Sequence, residues 1–152
     1  MIKQHFSLLI LALALMSCDS RPKSNPEMQQ LHDEMMGTIS TIKKEIKHKM
    51  GILDAKIDSN RAEGDSLVVG QLLHLKSTIE QIRTDAVALE AKAEQIPGIA
   101  HNHDHSDPDH HHHHHGKSPL EGLPENELLE LQRELHQQTK ILKEQHDNIH
   151  VD

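Results

Sequence analysis

An all-α fold, an antiparallel helical hairpin or a three-helix coiled-coil bundle, is predicted by three observations. Apolar residues recur at intervals of three and four along three long stretches. Helix-breaking pairs, Gly64-Asp65 and Pro97-Gly98, separate those stretches. The 152 residues include one Phe and neither Trp nor Tyr, so a broad core anchored on large rings is excluded while narrow seams of Leu, Ile, Met, Val and Ala remain open.

The first stretch begins at Ser24-Asn25-Pro26-Glu27, where a polar cap precedes a proline and an acid in the first turn. Its apolar positions are Met28, Leu31, Met35, Ile39, Ile42, Ile46, Met50, Leu53 and Ile57, a spacing of 3, 4, 4 repeated every 11 residues. That period predicts a nearly straight helix. It is expected to end near Ser59-Asn60, and Asp65 or Ser66 caps the next helix. The second stretch is a strict heptad through Val68, Leu72, Leu75, Ile79, Ile82, Ala86, Leu89, Ala93 and Ile96. A third helix starts near Leu123-Pro124-Glu125 and repeats Leu128, Leu135, Leu142 and Ile149, with Leu131, Gln138 and Gln145 read as the intervening seam. Two glutamines on that seam predict a helix that docks loosely or frays at its C-terminal end. The 11- and 7-residue periods drift in opposite senses, so a long two-stranded seam loses register and favours a third helix or a second chain. The stripe of Met28, Met35 and Met50 offers thioethers suited to copper(I), but its place on the apolar repeat favours core packing.

Residues 1–17 read as a signal peptide: Lys3 is followed by an apolar run from Phe6 to Met16 that is too short to span a bilayer. Leu15-Met16-Ser17-Cys18 resembles the lipobox of bacterial lipoproteins, which implies cleavage before Cys18, the chain's only thiol, and its lipidation. Residues 18–25 then form a lipidated tether, 26–96 the hairpin, 97–122 a flexible His-rich loop and 123–152 the third helix. A second resemblance rests on Met28-Gln29-Gln30-Leu31-His32-Asp33-Glu34-Met35-Met36 and Lys49-Met50-Gly51. These segments look like those of small helical lipoproteins of Gram-negative bacteria labelled "viral A-type inclusion protein". The resemblance implies lipidation and a helical form and supplies no activity. The His-rich connection departs from its pattern.

The chain carries 16 Lys+Arg, 24 Asp+Glu and 16 His, a net charge of −8, which argues against a nucleic-acid partner. One Cys excludes a disulfide framework and thiolate zinc sites. Nine histidines, His101, His103, His105 and His110, His111, His112, His113, His114 and His115, fall within 15 residues, interleaved with Asp104, Asp107 and Asp109. Neutral imidazoles bind Zn, Cu or Ni ions, and neighbouring carboxylates complete or orient the shell. A flexible strand of equivalent ligands binds without much selectivity. If the second helix returns antiparallel to the first, this loop hangs beside the lipidated end, near His32, Asp33 and Glu34. His146 and His150, one turn apart, offer a second clip for an ion, against a plainer reading as exposed residues on a fraying end. His48, His74 and His136 are expected on helix surfaces.

No catalytic constellation is present: there is no H-E-x-x-H, no dinucleotide loop and no nucleophile elbow, and Gly116-Lys117-Ser118 lacks the upstream glycine of a phosphate loop. The sequence therefore predicts a non-enzymatic cell-envelope lipoprotein, facing the periplasm or the cell surface, that holds divalent transition metal in its loop. It needs no organic cofactor, and a homo-oligomer or an envelope protein is a further partner to consider. The competing reading is an envelope scaffold or partner-binding coiled coil with the loop as spacer.

Overall fold

A computed structural model describes residues 25–99 and 118–151. Among these residues the chain forms three helices, α1 (Pro26–Glu63), α2 (Ser66–Ala93) and α3 (Glu125–Asp147), and each packs against the other two. The predicted all-α bundle is the observed fold.

Local chemistry sets the helix ends. The Asn25 side chain accepts the Glu27 amide at 2.9 Å, and Pro26 fills the first turn, where its missing N–H costs nothing. α1 runs three residues past Asn60 to Glu63 and is capped by Gly64, whose φ of 78° is the left-handed conformation glycine adopts without a Cβ penalty. The Asp65 amide reaches back to the Asn60 carbonyl, and the Asp65 carboxylate then accepts the Val68 amide to start α2. The α1–α2 turn is therefore both a C-cap and an N-cap. α2 ends at Ala93, three residues before the expected Ile96, although Ile96 and Ile99 still pack into the core from the turn that follows. α3 has no side-chain N-cap, but Glu125 and Glu127 place negative charge in its first turn.

Cross-helix pairs fix the register. Asn25 donates to Glu125 at 2.8 Å, and Lys49 donates to the carbonyl of Ile149 at 2.9 Å. Both pairs are 100 residues apart in sequence, so α3 runs parallel to α1 with each residue level with the one numbered 100 higher. Lys43 meets Glu90 at 3.1 Å, and Lys76 meets Asp54, which sets α2 antiparallel. α2 and the segment after it return to the end where α1 begins. There the Ser118 hydroxyl donates to the Gln95 carbonyl, close to the start of α3.

The seams differ from the sequence expectation in two helices. In α1 the buried set is Met28, His32, Met35, Ile39, Ile42, Ile46, Leu53 and Ile57. His32 is buried and Leu31 only half-buried, so the spacing from Met28 to Ile46 is 4, 3, 4, 3, 4, a heptad rather than an 11-residue repeat. Lys49 extends the heptad, with its stem along the seam and its ammonium turned to the end of α3. In α3 the buried residues between the leucines are Gln132, Thr139 and His146, while Leu131 and Gln138 are half-buried and Gln145 is exposed. The reason is geometric: a heptad seam alternates steps of four and three, and three leucines at sevenfold spacing fit either intervening frame. Packing on α1 selects the frame one residue later. The C-terminal end of α3 is also held rather than loose, since Lys49 caps the carbonyls of His146 and Ile149 at 2.9 Å each.

Met28 and Met35 lie in the core cluster and Met50 packs against it, in keeping with packing along the α1 seam. α3 stops level with Lys47 of α1. Above that level the bundle is a two-helix tip in which Leu53 and Ile57 are still buried, Val68, Leu72 and Leu75 only half-buried, and Leu67 is 74% exposed. No helix among the described residues is long and apolar enough to cross a membrane.

Candidate functional site

Cys18, His101, His103, Asp104, His105 and His110 to His115 lie outside the described residues, as does the rest of the connection from 100 to 117. The described flanks locate its two ends. Ile99 is buried beside the core and Ser118 is bonded to Gln95, both at the end of the bundle where Asn25 opens α1. The loop thus leaves and re-enters at the end that leads to Cys18.

Among the described residues, three potential metal ligands of the His, Asp and Glu type come together at the end of α3. His146 is 1% exposed, and its Nδ1 lies 3.3 Å from Glu45 Oε2 on α1 and 3.3 Å from Asp147 Oδ1 beside it. One ligand atom from each of the three residues lies within 4.8 Å of the other two. The heptad explains the arrangement: His146 occupies a seam position level with Ile46, which drives its ring inward, while Glu45 and Asp147 flank the seam and keep their carboxylates at the surface. Lys143, one turn before Asp147, donates to both its carboxylate oxygens at 2.5 and 2.7 Å. This pairing, with His146 adding to it, holds the Asp147 carboxyl below the usual carboxylate range. The buried His146 Nε2 has no hydrogen-bond partner among the described residues.

Histidines also mark the rest of the α1–α3 interface. His32 is buried level with Gln132, and His136 Nε2 stands 3.4 Å from Glu34 with its side chain 13% exposed. His136 therefore sits at an interface rather than on an open surface, unlike His48 and His74, which are exposed as expected. The His146/His150 clip is not formed. α3 ends at Asp147, so His150 lies beyond the helix and is exposed, while His146 turns to the core instead of fraying. Sequence reasoning missed Glu45 and Asp147 because isolated carboxylates on regular helices carry no metal-ligand spacing and are ordinarily a solvated face. Continuing the 4, 3 alternation of Met35, Ile39, Ile42 and Ile46 back by three residues finds His32, but only the packing of α3 on α1 brings Glu45 to His146.

At the opposite rim, Arg133 bridges Glu27 on α1 at 2.6 Å and Glu130 on its own helix at 2.6 Å, which raises the guanidinium above its ordinary value. This contact positions α3 without offering chemistry. No protein-family model, curated protein or solved structure matches the chain.

Proposed function

We propose that the protein is a membrane-anchored cell-envelope lipoprotein that binds or buffers divalent transition metal through its His-rich connection. The observation that carries this reading is the concentration of nine imidazoles and three aspartates between residues 101 and 115. Imidazoles suit Zn, Cu and Ni, and many equivalent donors on one strand give capacity rather than selectivity. The bundle supports the reading by bringing both ends of the connection to the end of α1 that continues into Cys18. An acylated Cys18 then holds the metal-binding segment close to the membrane surface.

The test is metal stoichiometry on protein purified without a nickel column and stripped with chelator, read by calorimetry. Full-length protein is expected to bind several ions and a chain lacking residues 101–115 at most one. Undiminished binding after the deletion sinks the loop reading. Palmitate label lost in Cys18→Ala establishes the anchor, and label that persists removes it.

The two-helix tip favours a second reading, a partner-binding coiled coil. There α1 and α2 run beyond α3 with Leu67 and Leu73 exposed at 74% and 43%. Metal tolerance unchanged by the loop deletion, with an envelope defect on removing the tip, selects that reading.

A further inference from the structure

From the geometry at the end of α3, we infer that Glu45, His146 and Asp147 form a second, structured site for one zinc-type divalent ion, which pins α3 to the middle of α1. The loop is not needed for it. A tetrahedral zinc bound by imidazole nitrogen and carboxylate oxygen at ordinary bond lengths separates those donor atoms by about 3.3–3.5 Å. The two nitrogen-to-oxygen separations at His146 Nδ1 are both 3.3 Å. That is long for a strong charge-assisted hydrogen bond, which closes to about 2.7–2.9 Å. The ring is therefore spaced for an ion as well as for a proton.

The donors also have suitable surroundings. His146 is held by the core, whereas the Glu45 and Asp147 side chains are 45% and 52% exposed, so an ion and its remaining water ligand can enter from solvent. Ion binding adds no orphaned ring nitrogen. If Nδ1 carries the hydrogen it donates toward the carboxylates and Nε2 is left without a partner; if Nδ1 binds an ion the hydrogen moves to Nε2, which is in the same position. The competitor for the ion is Lys143, whose ammonium holds both oxygens of Asp147. Its side chain is 31% exposed and can swing into solvent when the ion takes its place. Lys49, the other nearby cation, is engaged with the carbonyls of His146 and Ile149 and leaves the carboxylates free.

The experiment uses the full chain in which each of the nine loop histidines is changed to asparagine (His101→Asn and its eight counterparts), titrated with zinc by calorimetry and with cobalt(II) by visible absorption. One equivalent of zinc and the intense bands of four-coordinate cobalt are expected. Glu45→Gln or Asp147→Asn in that background should weaken binding at least tenfold, with the helical circular dichroism signal unchanged. Lys143→Ala should tighten it severalfold by removing the competitor. Absence of stoichiometric zinc in the loop-substituted chain overturns the inference, as does binding indifferent to Glu45→Gln. The loop reading fails separately: it is lost if wild-type and loop-substituted chains bind the same number of ions.

Discussion

α1 makes two interfaces of different chemistry. Toward α2 it meets Ile79, Ile82, Ala86, Leu89, Ala93 and Ile96, an unbroken apolar seam. Toward α3 it meets Leu128, Gln132, Leu135, Thr139, Leu142 and His146, in which every second seam position is polar. Each fully buried Leu or Ile contributes roughly 1.5–3 kcal/mol before ordering entropy, whereas a buried polar group contributes little unless its hydrogen bonds are made. Thr139 satisfies its hydroxyl on the Leu135 carbonyl at 3.0 Å, but both amide atoms of Gln132 lack a partner among the described residues. The α1–α2 interface is thus the more apolar of the two, and α3 is docked by the buried Leu128, Leu135 and Leu142, with Leu129, Leu131 and Ile149 packed beside them, together with the rim pairs Glu27–Arg133, Glu34–His136 and Glu45–His146. Those pairs specify register: sliding α3 by one heptad breaks all of them at once.

The largest effect is expected where both interfaces are lost together. Ile42 is fully buried, level with Leu142 of α3 and, between the registers set by the Lys43–Glu90 and Asp54–Lys76 pairs, close to the level of Leu89 of α2. Ile42→Ala should cost about 2–5 kcal/mol by removing packing and leaving a cavity. Urea denaturation followed by circular dichroism reads it as a lower midpoint with an unchanged slope. A cost under about 1 kcal/mol would mean that the three helices do not share this layer.

The next effect has the opposite sign and tests the polar interface alone. Gln132→Leu replaces an amide with no partner among the described residues by an apolar side chain, and should stabilise the protein by about 1–3 kcal/mol. If the variant is instead destabilised, the amide has a bonded role and the contrast between the two interfaces is weaker than drawn.

How much of this was legible from the sequence depended on whether the seam was apolar. α2 could be read residue by residue, because Val68 to Ile96 carry the heptad without interruption; the half-burial of Val68, Leu72 and Leu75 reflects only the missing third helix at the tip. α1 was displaced at Leu31 and Met50, where an apolar neighbour drew the repeat away from His32 and Lys49. In α3 hydrophobicity could not choose a frame, since the candidates at both offsets were largely glutamine, threonine and histidine. Polar seam residues are determined by the partner helix, and no local pattern reports them. The site at Glu45 was hidden for the same reason: its residues are 101 and 102 positions apart from their partners and meet only through the parallel register. The composition of the 101–115 connection, by contrast, was fully legible, because it depends on no packing at all.

The smallest effect asks whether α3 opens independently of the hairpin. Lys49 donates to the carbonyl of His146 in the last turn of α3, which also accepts the Ile149 amide, and to the carbonyl of Ile149 just beyond the helix end. Lys49→Met keeps the stem on the seam and removes only the ammonium, so the loss should be about 1 kcal/mol and confined to the end of α3. Native-state hydrogen exchange separates the possibilities, because amides that open together share one free energy. The amides of the last two turns of α3 are expected to exchange about fivefold faster, the equivalent of that 1 kcal/mol, while those of Ile79 to Ala93 keep their wild-type rates. Equal acceleration in α2 would show that the three helices open as one unit. Exchange confined to α3 establishes instead a hairpin with a separately docked third helix, joined to it by the segment that carries nine histidines.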